Sequence, residues 1–341
     1  MVAIRLDGVT VVKGGALLLD RVDLEVAHAE VVAVMGTTGS GKTSLLRAIA
    51  GLDEVTAGTV SFDDTDVTAL QPQHRDIAFV FEASALIPHR SVGRNISLPL
   101  ELRRATAEEI HDRVGAEARA LHIGELLDAD PATLSQGERR VVEMARALVK
   151  QPGVLLLDEP FRGIDGHLAS IVRRELRLLQ RAFEVTVVIV VHDGNEARAL
   201  ADRVAIVGDR RIAQIGPFPD VYRAPATAEI ALLTGDASVL RGRVVAGQHD
   251  DSFVESGSIR LHSWRPAVRA QVGRDVDVVI RPEWWHLDPN GEIEATVERL
   301  PIPGVSHMTC VVDGRWITVA APADGVEAGQ IVRLRVSDWV I

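Results

Sequence analysis

The chain has 341 residues, with 37 cationic and 48 acidic side chains and one cysteine, Cys310. This length accommodates a main domain and a smaller second one, while the acidic balance argues against a nucleic-acid surface, which needs clustered cations. A single cysteine excludes an internal disulfide and fits a reducing cytoplasm. The sequence also shows neither a secretory signal nor an apolar run long enough to span a bilayer.

The first motif in chain order is a glycine-rich stretch, VMGTTGSGKTSLL, at residues 34–46. Its spacing, Gly36-x4-Gly41-Lys42-Thr43, is that of a phosphate-binding loop between a strand and a helix. Glycines there let successive N–H groups converge on a phosphate, and the helix N-terminus adds its positive dipole end. The alternative is a glycine turn that merely precedes a helix. The apolar run before the stretch and the helical spacing of leucines after it favour the phosphate loop.

This motif assigns nucleotide contacts residue by residue. Lys42 is expected to reach the β- and γ-phosphates, Thr43 to hold Mg²⁺ through its hydroxyl, and Ser44 to donate to the α-phosphate. The predicted loop residues that bind ATP are Gly36, Thr37, Thr38, Gly39, Ser40, Gly41, Lys42, Thr43 and Ser44.

The next motif, LSQGERR at residues 134–140, predicts a helix start. Ser135 and Glu138 have the spacing of a capping box, and Gly137 beside the cap leaves N–H groups open to an anion. A well-capped helix with no further role is the simpler interpretation.

Downstream, the apolar pattern VLLLDEP at residues 154–160 ends in two carboxylates. Such an ending by itself is usually a strand end followed by a turn. After a phosphate loop, however, Asp158 is expected to hold Mg²⁺ through water, and Glu159 to polarise the attacking water.

Taken together, these motifs resemble those of the ATP-binding cassette (ABC) family over residues 2 to about 235, where the family signature is Leu-Ser-Gly-Gly-Gln. The resemblance implies two ATP molecules sandwiched in a head-to-tail dimer. It makes His192, in VIVVHD, the switch histidine at the γ-phosphate, and it places Asp165 on the loop that crosses the dimer interface. The signature residues implied to contact the ATP of a partner subunit are Ser135, Gln136, Gly137 and Glu138.

The stretch from residue 75 to residue 103 resembles import-type ATPases, and VVIRPEWWHL resembles the regulatory β-module of such proteins. After residue 235, short alternating apolar runs replace the strand–helix pattern, which predicts an all-β module. The expected fold is therefore α/β. A P-loop NTPase domain of the ABC type spans residues 1–235, with a helical subdomain inserted at about 83–150. A small all-β, OB-like (MOP-type) regulatory domain follows at residues 236–341.

Three residues depart from the family pattern. Lys13 stands where the family stacks adenine on an aromatic ring, and no Phe, Tyr or Trp precedes Phe62. Glu82 replaces the family's Mg²⁺-sensing glutamine; we expect it to ligate the metal together with Thr43 and Asp158. Gln136 replaces the first signature glycine, which narrows the room for the γ-phosphate. Weaker or less base-selective nucleotide binding is expected, but no catalytic group is lost.

The resulting hypothesis is the ATP-hydrolysing subunit of an ABC importer, a Mg²⁺-dependent homodimer on the cytoplasmic face of the cell membrane. Its partners are two permease subunits, fed by an extracytoplasmic solute-binding protein, and no nucleic acid is expected. The sequence around NISLPLELR most resembles that of carbohydrate importers. Importers of polyamine, iron, sulfate or another small solute are the alternatives. Two hypotheses of other classes are a soluble ABC ATPase of DNA repair or translation, and a regulatory module that binds nucleotide with little turnover.

Overall fold

The computed structural model describes residues 2–83, 85–248, 251–300, 307–320 and 326–341. The chain forms two compact units, which divide between Pro219 and Asp220. The domain boundary predicted between residues 235 and 236 lies a short way downstream and stays a prediction. Within the residues described, no helix combines the length and apolarity that crossing a membrane requires.

The first unit alternates strands and helices. Its strands are β1 (Ile4–Lys13), β2 (Ala16–Val26), β3 (Val31–Met35), β4 (Ala57–Phe62), β5 (Thr65–Asp66), β6 (Ile77–Val80), β7 (Val154–Asp158), β8 (Thr186–Val190), β9 (Arg203–Gly208) and β10 (Arg211–Gly216). Its helices are α1 (Lys42–Ala50), α2 (Val92–Leu102), α3 (Ala107–Ala120), α4 (Gln136–Leu148), α5 (Gly166–Phe183) and α6 (Gly194–Leu200), and α7 (Phe218–Arg223) contains the division between the units.

Two sheets organise this unit. The larger has the strand order β10-β9-β3-β8-β7-β6, with every pairing parallel except that of β9 with β10. The smaller, with the order β2-β1-β4-β5, is antiparallel. All five residues of β3, β7 and β8 are buried, as expected of apolar runs in a parallel sheet covered on both faces. The loops that follow these three neighbouring strands therefore meet at one edge of the sheet.

Three helices, α2, α3 and α4, lie between β6 and β7 along the chain. Each starts at a side-chain cap: Ser91 for α2, Thr106 for α3 and Ser135 for α4. Such caps satisfy amide groups that the first helical turn leaves without partners. The expected α/β fold, with helices inserted between two strands of the parallel sheet, is confirmed.

Helix α1 is held at its C-terminal end by Arg75, which is 4% exposed. The Arg75 guanidinium donates to the carbonyl oxygens of Ala48 (3.1 Å) and Ile49 (2.6 Å). These carbonyls belong to the last turn of the helix, whose carbonyl oxygens have no amide donor from a following turn. At its N-terminus α1 follows Gly41, which has no side chain that could cap the helix. The backbone N–H groups of the first turn can therefore donate to another acceptor.

The second unit is predominantly β, as predicted. It contains helices α8 (Ala228–Thr234) and α9 (Pro266–Arg269), and strands β11 (Ser238–Ala246), β12 (Ser252–Ser256), β13 (Ile259–Ser263), β14 (Asp275–Ile280), β15 (Trp285–Leu287), β16 (Ile293–Arg299), β17 (His307–Val312), β18 (Arg315–Ala320) and β19 (Ile331–Val336). They form two antiparallel sheets, ordered β13-β12-β11-β14 and β15-β19-β16-β17-β18. Both sheets contribute to one apolar core around Trp285 and Leu334. The all-β C-terminal module is confirmed.

A fully buried arginine, Arg281, joins the helical start of this unit to its sheets. Its guanidinium donates to the carbonyl oxygens of Tyr222 (2.8 Å) and Ala231 (2.8 Å) and to the Thr234 hydroxyl (2.9 Å). It also lies 3.8 Å from the centroid of the Tyr222 ring. Burial lowers the pKa of Arg281, because the charged form has lost water. Carbonyl dipoles and an aromatic face therefore replace the solvation of this cation.

Candidate functional site

The predicted phosphate loop, residues 36–41, connects β3 to α1. Gly36 (φ 152°) and Gly41 (φ 112°) adopt backbone angles that favour glycine. A Cβ on Gly36 would lie 2.3 Å from the Val207 carbonyl oxygen, and one on Gly41 would lie 2.8 Å from the Leu18 carbonyl oxygen. The spacing of the motif therefore reflects a backbone packed too closely for side chains at both positions.

Lys42, the first residue of α1, folds back over this loop. It is 8% exposed, and its Nζ donates to the carbonyl oxygens of Gly36 and Thr37, both at 2.8 Å. Burial lowers the pKa of Lys42, while the negative charges of Glu159, Asp158 and Glu82 oppose that shift. The lysine is thus a desolvated cation able to pair with an anionic ligand, while the three carboxylates near it would need a further cation, such as a metal ion, to offset their charge.

Asp158 ends β7 and is 2% exposed. Its Oδ1 has no hydrogen-bond partner among the residues described. Burial raises the pKa of Asp158; the Thr43 hydroxyl, which donates towards the carboxyl, lowers it, and the charges of Glu159 and Glu82 raise it further. An unpartnered buried carboxylate oxygen beside a hydroxyl is a donor set suited to Mg²⁺.

The Ser40 hydroxyl is a second buried group without a hydrogen-bond partner among the described residues. Among all the residues that the structure describes, no three or more His, Cys, Asp or Glu side chains are grouped so that they could hold a metal ion by themselves. This is compatible with Mg²⁺, which usually takes one or two carboxylates and completes its shell with substrate phosphates and water.

Glu159 follows Asp158 in the left-handed backbone conformation, at φ 50°. Its amide donates to the Val190 carbonyl oxygen at 3.2 Å, which fixes the backbone to the end of β8. Its side-chain Oε2 lies 2.5 Å from Nε2 of His192 and 3.2 Å from Nη1 of Arg162. The predicted base and the predicted switch histidine are therefore in direct contact.

Glu82 lies near this group, but its carboxylate is already paired. Its Oε1 accepts from the Arg162 guanidinium, and the side chains of Glu82 and Arg162 are 50% and 57% exposed. The backbone of this segment is held separately, since Arg140 donates to the carbonyl oxygens of Phe81 and Glu82. Its predicted role as a metal ligand, in place of a glutamine, stays a prediction.

The predicted signature residues start α4. Ser135 and Glu138 form the capping box: the Ser135 hydroxyl accepts from the Glu138 amide (3.2 Å), and the Glu138 carboxylate accepts from the Ser135 amide (2.8 Å). The Gln136 side chain folds towards Gly163, and its Cδ lies 2.8 Å from where a Cβ on Gly163 would be. Asp165 caps α5 through the amides of residues 167 and 168. The capping role of Ser135 is confirmed, whereas contact with a partner's ATP stays a prediction.

Lys13, at the end of β1, pairs with a carboxylate rather than pointing freely to solvent. Its Nζ lies 2.7 Å from Oδ1 of Asp53, whose side chain is 4% exposed. Arg47 donates to both oxygens of the same carboxylate, at 2.8 and 3.0 Å. These hydrogen bonds lower the pKa of Asp53.

Sequence reasoning missed Arg162 and Asp53. Arg162 is three residues from Glu159, and a cation so near a predicted base was a usable signal; its second partner, Glu82, is 80 residues away along the chain. Asp53 could not be found from a motif, because its partners Lys13 and Arg47 follow no recognisable spacing.

Comparisons with known proteins agree with this geometry. The ABC transporter family model matches residues 19–162. The sulfate/thiosulfate import ATP-binding protein of Caulobacter vibrioides is 38% identical over 309 residues, covering 89% of this chain and 88% of the relative. The sn-glycerol-3-phosphate import ATP-binding protein of Cereibacter sphaeroides is 36% identical over 313 residues, covering 90% and 87%. The spermidine/putrescine import ATP-binding protein of Nitratidesulfovibrio vulgaris is 35% identical over 283 residues, covering 82% and 76%.

A solved structure of similar fold is an ATP-binding cassette in a dimeric post-hydrolysis state, bound to ADP and Pi. It is 29% identical, with a TM-score of 0.59, and the match covers 63% of this chain and 98% of that one. The chain therefore belongs to the ABC transporter family, as an import-type ATP-binding subunit that hydrolyses ATP.

Proposed function

We propose that Glu159 is the general base of ATP hydrolysis in this subunit and that His192 orients it. The observation that carries the proposal is the 2.5 Å contact between His192 Nε2 and Glu159 Oε2 at the edge where β7 and β8 end. Both contacts to Glu159 described above involve Oε2, so Oε1 takes part in neither and is available to accept a proton from an attacking water.

Lys42 and the amides of the phosphate loop would bind the triphosphate and stabilise the transferring phosphoryl group. Thr43 and Asp158, with Glu82 as an additional carboxylate, would hold Mg²⁺. This metal, when bound, neutralises phosphate charge and fixes the γ-phosphate for in-line attack. The unpartnered Oδ1 of Asp158 supports this assignment.

We further propose that the working unit is a homodimer in which Ser135, Gly137 and Asp165 act across the interface. A dimeric cassette among the structural relatives supports this arrangement. The dimer would engage two membrane permease subunits, supplied by an extracytoplasmic solute-binding protein, at the cytoplasmic face of the membrane. The importer names of the curated relatives support that placement.

A carbohydrate or a sugar-like phosphate is the proposed solute class. Relatives that import sn-glycerol-3-phosphate support it, while sulfate and polyamine importers of comparable identity are the competing classes. A thermal-shift screen of an extracytoplasmic binding protein that stimulates the ATPase activity of the assembled importer tests the proposal. Stabilisation by a sugar or polyol phosphate is expected, and stabilisation by sulfate or spermidine alone would contradict it.

Replacing Glu159 with glutamine tests the catalytic assignment. The Mg·ATP ligands remain, but the group that accepts the water's proton is lost, so hydrolysis should fall by about 10²–10⁴-fold and the ATP-bound dimer should accumulate. Phosphate release and size-exclusion chromatography with ATP measure both effects. Glu25→Gln is the matched control, because Glu25 is 68% exposed and pairs only with Arg5 among the ion pairs described. Turnover of Glu159→Gln at the parent rate would refute the assignment.

A further inference from the structure

Arg162 occupies an unusual position between two carboxylates of the candidate active site. One nitrogen, Nη1, contacts Oε1 of Glu82 and lies 3.2 Å from Oε2 of Glu159. The backbone of Arg162 is tied to the same segment, since its amide donates to the Glu159 carbonyl oxygen at 3.2 Å. The guanidinium thus bridges the Glu82 segment to the residue proposed as the base.

The bridge has an electrostatic reason. The negative charges of Glu82, Asp158 and Glu159 each raise the pKa of Lys42. Those of Glu82 and Glu159 also raise the pKa of Asp158, so the three carboxylates lie in one small region. A glutamine in place of Glu82 would bring no charge, whereas Glu82 adds one beside two carboxylates that already repel each other. Arg162 supplies the matching positive charge.

The Arg162 guanidinium holds the side chains of Glu82 and Glu159, and it is not needed to fix the backbone at Glu82. Arg140, 6% exposed on α4, donates to the carbonyl oxygens of Phe81 and Glu82 and pairs with Glu143 at 3.1 Å. The Glu82 backbone is therefore anchored without Arg162. Removing the Arg162 side chain should release the carboxylates while leaving the segment in place.

We propose that Arg162 is a positioning residue for ATP hydrolysis, which compensates the charge of Glu82 and holds the Glu159 carboxylate by the same oxygen that His192 contacts. Glu82 and Arg162 form a matched pair in this chain. Their charges sum to zero, as they would with neutral residues at both positions. The inference rests on the proposed roles of Glu159 and Glu82.

A double-mutant cycle of Arg162→Ala and Glu82→Gln in the full-length chain tests the pairing. Arg162→Ala alone should lower kcat about tenfold with KM for Mg·ATP changed less than about twofold, because the bridge positions the base rather than the bound nucleotide. In the Glu82→Gln background, the same change should cost less than about threefold, since no excess charge is left to compensate. Arg162→Lys should recover most of the activity, because one nitrogen of Arg162, Nη1, makes both contacts and a lysine ammonium can take its place.

A binding measurement provides a readout apart from turnover. Without Mg²⁺, in EDTA, Arg162→Ala should weaken a fluorescent ATP analogue about threefold, because the charge of Glu82 is then uncompensated and no metal offsets its repulsion of the triphosphate. Arg174→Ala is the matched control, because Arg174 is 64% exposed and pairs with Glu175; it should change neither kcat nor affinity.

Three results would overturn the inference: Arg162→Ala turning over at the parent rate, equal losses in both Glu82 backgrounds, or an unchanged affinity in EDTA. Each is distinguishable from failure of the proposed function, which would show instead as Glu159→Gln retaining the parent rate.

Discussion

Replacing Lys13 with tyrosine should tighten ATP binding, because it supplies the aromatic platform that this chain lacks before Phe62. Stacking of a base on an aromatic side chain contributes about 1–3 kcal/mol. The substitution also removes the 2.7 Å ion pair between Lys13 and Asp53, which is a cost to folding stability rather than to ATP affinity. The Lys13 side chain is 60% exposed, so its pair contributes only about 0.2–1 kcal/mol. Arg47 keeps both of its bonds to Asp53, and no buried carboxylate is left unpaired.

The expected gain in ATP binding is about 1–2 kcal/mol, the lower part of that stacking range, which corresponds to a dissociation constant about five- to thirtyfold lower. Calorimetric titration of ATP and GTP into the parent and Lys13→Tyr proteins measures it. In the parent, the triphosphate supplies most of the binding, so ATP and GTP should compete within a few-fold of each other. Lys13→Met is the control that removes the charge without adding a ring.

A hundredfold preference of the parent for ATP, with no gain from the tyrosine, would refute this reasoning. Another ring would then have to stack on the base. Trp285 could not serve, because it is fully buried.

Three further predictions concern binding and stability. Lys42→Ala should weaken ATP binding in direct titrations, because the ammonium meets the phosphates in ground and transition states alike; full affinity would contradict the phosphate-loop assignment. Burial raises the pKa of Glu117 from 4.5 to about 7. The folded chain therefore binds this proton more tightly than the unfolded chain, and stability should fall as pH rises between these values, by about 3 kcal/mol. Urea unfolding at pH 5 and pH 8 measures this decrease in the free energy of unfolding. The decrease should be absent in Glu117→Gln and unchanged in the exposed control Asp112→Asn. Arg281→Met should destabilise the second unit by about 4 kcal/mol, because several buried acceptors lose their donor, while Arg241→Ala, at a side chain 70% exposed, should cost under about 0.5 kcal/mol in the same assay.

Much of the site was predictable because its chemistry is encoded locally. The phosphate loop needs glycines at fixed spacing, the capping box needs Ser135 three residues before Glu138, and Asp158 must end a buried strand. Each requirement is met within a few residues of backbone, so a linear pattern reveals it. The parallel sheet follows from the same reasoning, since a fully apolar run such as β3 cannot face water on either side.

Contacts between distant residues were not predictable in this way. The pairing of Arg162 with Glu82 depends on how two loops meet at a sheet edge, and a sequence pattern does not fix that meeting. The same holds for Lys13, whose replacement of an aromatic residue was visible but whose attachment to Asp53 was not. The burial of Arg281 was equally hidden, because carbonyl oxygens that any residue can supply satisfy its donors.

The fit between Gln136 and Gly163 couples these two positions sterically. The Gln136 amide fills the space that a Cβ at position 163 would need, so alanine at that position would require the flexible end of the glutamine to move. Restoring the family's glycine at position 136 in an engineered importer would open this space, so the backbone angle at position 163 (φ 78°), rather than crowding, would then be what favours glycine there.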